Sequence, residues 1–154
     1  MFPLLGLGYF AATTIPLIVI DLRERRLPNK ITLPGIAISL LGIALTLDWM
    51  KVLIALGASA AIFGVGTLLS LRGFIGMGDV KLMTGLSLLL TWFSPHLLWQ
   101  SLLWTFVSAG VFVLGGLLFK KITTRSTIAL GPYLLAGFWV AITPVVNSTL
   151  VGEV

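Results

Sequence analysis

The chain has 154 residues, of which 58% are hydrophobic and 10% charged, with a mean hydropathy of +1.11. That composition excludes a soluble globular domain, in which about a quarter of the residues are charged. The absence of cysteine excludes disulfides, thiolate metal sites and a cysteine nucleophile. The formal charge of +5 comes from basic residues lying between apolar runs, so it reads as membrane topology and not as nucleic-acid binding.

Six apolar runs follow one another, at 2–20, 31–47, 52–71, 80–93, 97–119 and 128–146. Most match the ~17–25 residues with which a helix crosses a ~30 Å hydrocarbon core. No basic residue precedes the first run, so no cleavable signal peptide is expected. That run ends in Asp21, followed by a basic loop with Arg23, Glu24, Arg25, Arg26, Pro28, Asn29 and Lys30. Glu24 reads as ion-paired or solvated, and Pro28 and Asn29 as the turn into the second run. After the second run come Asp48, Trp49 and Lys51; after the third comes Gly76-Met77-Gly78-Asp79. The fourth run is short, and Phe74 and Ile75 are apolar enough to lend it depth. His96 then reads as a solvated turn residue behind Ser94 and Pro95. Lys120, Lys121 and Arg125 separate the last two runs, and Glu153 lies in a tail. Trp92, Trp99, Trp104 and Trp139 are expected at span ends and packing surfaces. Gly57, Gly64, Gly66, Gly110, Gly115 and Gly116 are expected to allow close helix approach.

The expected fold is therefore a single membrane-embedded all-α domain over 1–154, a bundle of six transmembrane helices with both termini outside. Nine of the ten basic side chains then fall on the inner side and only Lys51 falls outside. A re-entrant fourth run would reduce the split to six against four, so charge favours a crossing. Anionic lipid headgroups are expected partners of Arg23, Arg25 and Arg26.

This topology places two of the five acids, Asp21 and Asp79, at the same inner boundary although they are 58 positions apart. Ionisable groups beside membrane-spanning runs are costly, and by default they are functional candidates. Two close carboxyls resist double ionisation and hold one proton between them. The ionised member can activate a water while the protonated member donates to a carbonyl. Asp79 starts a helix, where the macrodipole favours an anion, and Asp21 ends one, where it does not. On that argument Asp79 is the anion and Asp21 the proton carrier. Gly76 and Gly78 are expected to adopt positive φ and to let a substrate strand approach. Lys81 either tunes Asp79 or snorkels to the interface. The competing account pairs Asp21 with Arg25 one turn on and makes Asp79 a helix N-cap.

The segments Asp21 to Pro34 and Gly76 to Met83 resemble the two signature segments of the type IV prepilin peptidases, and Leu130-Gly131-Pro132-Tyr133 is similar to a Gly-Pro-aromatic stretch of their last helix. These are integral-membrane aspartyl endopeptidases of the Gly-x-Gly-Asp class. The resemblance implies that Asp21 and Asp79 are the catalytic pair. Gly76, Gly78 and Lys81 are expected to bind substrate or shape the site, and no metal or other cofactor is expected. It implies cleavage of short basic leaders from prepilin or pseudopilin precursors at the cytoplasmic side of the inner membrane. Larger members carry an N-terminal portion, often with zinc-binding cysteines, and also N-methylate the product. About 20 residues precede Asp21 here and there is no cysteine, so the layout resembles the short, peptidase-only branch serving tight-adherence (Flp-type) pili, without methylation. An archaeal preflagellin-type peptidase and a non-enzymatic transporter or assembly scaffold are the alternatives.

Overall fold

The structure, a computed structural model, describes residues 3–118 and 129–151. Six α-helices fall on the six apolar runs: α1 Leu4–Glu24, α2 Asn29–Ala44, α3 Trp49–Leu71, α4 Met77–Phe93, α5 Pro95–Leu118 and α6 Gly131–Val151. No strand occurs among the described residues. Lys120, Lys121, Arg125 and Glu153 lie outside them.

The helix ends follow from local chemistry. Arg25 takes the left-handed conformation at the end of α1 (φ 51) and its amide bonds the Asp21 carbonyl. Pro28 is extended, and the carbonyl it presents accepts the amides of Ile31 and Thr32 at the start of α2. Asp48 caps α3 by accepting the Lys51 amide at 3.3 Å. Gly73 turns the chain out of α3 with φ 77, a conformation that favours glycine. Gly76 is extended and begins α4.

The fourth helix is the centre of the bundle. It packs against α2, α3, α5 and α6, while α1 bridges α2 and α6. Leu82, Leu86, Leu89 and Leu90 of α4 join Phe10 and Leu17 of α1 and Leu135, Phe138 and Ile142 of α6 in the main core. Burial of each such side chain contributes about 1.5–3 kcal/mol. In a bilayer this contribution shrinks, and close packing takes over. Val80 of α4 seats on Gly66 of α3, Phe10 on Gly35 and Gly85, and Ser101 and Thr105 of α5 on Gly137. Among the described residues nothing lies within 4 Å of a Cβ placed at Gly57, Gly64, Gly110 or Gly115, which corrects the expectation for those four; Gly66 does pack, as do Gly6, Gly35, Gly85 and Gly137. Buried Ser59 and Ser87 also hydrogen-bond across α3 and α4 at 2.9 Å.

Three helices, α1, α3 and α5, are long and apolar enough to cross a membrane. Only 22% of the apolar window of α3 and 17% of that of α5 is buried within the chain, so most of their surface is left for lipid. The α2 helix is apolar but has 16 residues, about 24 Å of rise. The α4 helix has 17 residues and is surrounded by the other helices instead of facing outward, which explains how so short a helix can occupy the middle.

Candidate active site

Asp21 lies one turn before the end of α1, and Asp79 lies in the first turn of α4. What brings these two helix ends together is the loop between α1 and α2. Gly78 lies flush against Leu27: a Cβ at position 78 would sit 2.9 Å from the Leu27 Cβ and 3.1 Å from its backbone nitrogen and oxygen. Backbone cannot yield as a side-chain tip can, so any larger residue here forces the two segments apart. Gly78 thereby docks the first turn of α4 onto the segment leading away from Asp21. Neither Gly76 nor Gly78 has positive φ; among the described glycines only Gly73 does. The expected conformational role of these glycines is corrected to one of close approach. Gly76 leaves room for the Asp79 carboxylate, whose Oδ2 would be 3.0 Å from a Cβ there.

Asp21 and Asp79 line one cavity of about 390 Å³, together with Arg25, Arg26, Leu27, Gly76, Met77 and Gly78. That volume falls within the ~300–1,000 Å³ typical of ligand clefts. The two carboxyls are held in different ways. Asp21 is buried, at 4% exposure, and its Oδ2 accepts the Gly131 amide at 2.9 Å. Asp79 is half-buried, and its Oδ1 is enclosed with no hydrogen-bond partner among the described residues. A buried polar atom without a partner is costly, and it marks a position where a further group, water or substrate, would bond.

Both parts of the competing account are absent. The described residues contain a single ion pair, Asp48 with Lys51 at 3.3 Å, and Asp21 makes none with Arg25. The residue at the N-cap of α4 is Gly76, and Asp79 stands three positions inside. The macrodipole argument for Asp21 counted one helix end only. Asp21 does end α1, but its carboxyl faces the N-terminus of α6 at Gly131, where an anion is favoured.

The remaining candidates separate cleanly. The Lys81 ammonium donates to Asn29 Oδ1 at 2.8 Å and does not line the cavity, so it ties α4 to the start of α2. His96 is exposed and stands beyond the far end of α4 from Asp79, about 25 Å away along the helix. No cluster of His, Cys, Asp and Glu suited to a metal occurs among the described residues. Two groups were missed by sequence reasoning. Arg25 and Arg26 were assigned to topology and lipid, yet they line the cavity. Gly131 enters the sequence reading only as part of the Gly-Pro-aromatic resemblance, with no role at the site, and its contact with Asp21 spans 110 positions.

The sequence model of the type IV leader peptidase family matches residues 8–119 of the chain, a stretch that includes both aspartates and the two glycines before Asp79. The chain belongs to that family. No curated protein and no solved structure matches it. Membership makes this leader-peptidase chain a peptidase of the prepilin-processing kind, built on helices able to cross a membrane. The matched stretch ends before α6, so Gly131 lies outside it.

Proposed function

We propose that this leader peptidase is an aspartic endopeptidase that removes the short basic leader of Flp-type prepilin or pseudopilin precursors at the cytoplasmic face of the inner membrane. The observation that carries the reading is that Asp21 and Asp79, distant in sequence, line one cavity at the mouths of two helices. In the proposed reaction a water held between them loses a proton to the ionised Asp21, which already has an amide donor. Asp79, whose Oδ1 has no partner among the described residues, carries the shared proton and gives it to the scissile carbonyl oxygen. The resulting gem-diol intermediate expels the amine as the proton taken up by Asp21 passes to nitrogen and one of its hydroxyls returns a proton to Asp79. Water is added across the amide bond and both carboxyls return to their starting states. This reverses the proton assignment drawn from helix ends alone.

The topology that suits this reaction has six crossings, both termini outside and the cavity facing inward. It is supported by the one-sided distribution of basic residues. Gly76 and Gly78 shape the cavity, Lys81 holds α4 in register with α2, and Arg25 and Arg26 stand where an approaching precursor meets the membrane surface. The site chemistry proposed uses neither a metal nor another cofactor, and it hydrolyses the amide without methylating the product. The test is co-expression with a tagged Flp-type precursor, followed by N-terminal sequencing and mass measurement of the product. The reading expects a single cut after the basic leader, an unmethylated new N-terminus, no inhibition by chelators, and no product with Asp79→Asn. Cleavage by Asp79→Asn at the wild-type rate would contradict it.

A further inference from the structure

The α6 helix presents few free amides at its start. Pro132 has no N–H, and the amides of Tyr133 and Leu134 both bond the Leu130 carbonyl, each at 3.1 Å. The amide of Gly131 is therefore the one first-turn donor directed outward, and it meets Asp21 Oδ2 at 2.9 Å. The side chain that position 131 lacks would collide with the same carboxylate: a Cβ there would lie 2.6 Å from Oδ2 and 3.2 Å from Cγ of Asp21. Gly131 thus supplies a donor and a vacancy to one carboxyl oxygen. Two turns further into the bundle, Trp139 Nε1 donates to Thr14 Oγ1 of α1 at 3.0 Å, a second tie between the same two helices. Phe138, next to Trp139, packs against Phe10 of α1 near this outer tie. The α1–α6 seam is thus registered at two depths, and its inner tie is the one on Asp21.

We propose that Gly131 is a positioning residue of the active site, its amide and its missing side chain together holding the Asp21 carboxylate in the orientation that faces Asp79. The inference rests on the peptidase reading for its kinetic arm, but its structural arm stands without it. The α6 start becomes part of the catalytic apparatus although it lies beyond the stretch matched by the family. The one carboxyl oxygen occupied by Gly131 leaves the other free for water, which fixes the direction from which water is activated. Arg25 and Arg26, the cations of the cavity, are not hydrogen-bonded to this carboxyl, so they do not substitute for the amide.

The experiment uses the full chain in lipid nanodiscs, with a fluorescent probe precursor consisting of a basic leader ending in glycine followed by an apolar stalk. Gly131→Ala should lower kcat about 100-fold with KM within about twofold, because a ~1 Å displacement of a catalytic group has an effect of that order. Replacing Gly131 by glycolate turns its amide into an ester, removing the donor without adding a side chain. It should lower kcat about 10- to 100-fold, the worth of a hydrogen bond to a charged acceptor, again with KM unchanged. The structural arm needs no substrate: Gly131→Ala should lower Tm in the wild-type background but not in Asp21→Ala, where the colliding atoms are gone. Trp139→Phe, which cuts the other tie, should lower Tm and leave kcat within about twofold. Wild-type kcat in both Gly131 variants, or an equal Tm loss in both backgrounds, would overturn the positioning role. Failure of the wild type to cleave any precursor would count against the peptidase reading alone, since the Tm comparison still decides the contact.

Discussion

Asp48 and Asp79 are acids of one chain near opposite ends of the same bundle, and they are treated in opposite ways. Asp48 is fully employed: it accepts the Lys51 amide, pairs with the Lys51 ammonium at 3.3 Å, and that ammonium also lies 5.3 Å from the centre of the Trp92 ring. Its side chain is 40% exposed, so water meets its remaining demand. Asp79 has an enclosed oxygen with no partner among the described residues, in a cavity that contains a second carboxyl. An acid that completes a helix start is structural, and one held unsatisfied beside another acid is available for chemistry. Sequence position alone does not separate them, because each stands at the N-terminal side of an apolar helix.

The comparison can be broken most sharply by exchanging amide for acid at both ends. Asp21→Asn should reduce precursor cleavage at least about 10³-fold, as loss of a catalytic acid or base does. Asp48→Asn should leave it within about twofold, since asparagine caps helices well. Cleavage assays on membranes of equal chain content check both. Gly78→Ala comes next. The new methyl meets the Leu27 backbone, which should cost about 1–3 kcal/mol of stability and lower kcat more than tenfold by parting the two helix ends. Gly57→Ala, with nothing within 4 Å, should be neutral or gain up to about 1 kcal/mol in a denaturation series. Lys81→Met should cost about 1 kcal/mol and lower activity a few-fold through the lost bond to Asn29, an effect that Asn29→Ala should reproduce without adding to it. On cleavage Asp48→Ala should have no effect, with a loss of about 0.5–2 kcal/mol in thermal unfolding.

Much of the fold was legible because apolar runs and their punctuation are local. Pro28, Asp48 and Gly73 mark ends that the helices obey. The aspartates were legible because an acid beside an apolar run is rare. Which small residues touch a neighbour was not, because helices apolar on every side carry no stripe that marks the packed face. Gly57 and Gly64 therefore looked as suitable as Gly66, yet only Gly66 receives a side chain, that of Val80. The role of Gly78 was misread for a related reason. Its neighbour is the backbone of Leu27, 51 positions away, and nothing local signals a tertiary contact of that kind. The contact of Asp21 with the start of α6 was likewise hidden, because it joins residues 110 positions apart.

The central claim is that Asp21 and Asp79 act as one unit, and kinetic non-additivity tests it most directly. Cleavage of the probe precursor by Asp21→Asn, by Asp79→Asn and by the double variant should be measured in nanodiscs at equal chain content. Residues that act as one unit give single variants as inactive as the double. The account predicts that all three share one residual rate, with unaltered unfolding temperatures to show that the bundle is intact. A single variant that keeps substantial cleavage, or a double variant whose loss is the product of the two single losses, would contradict it.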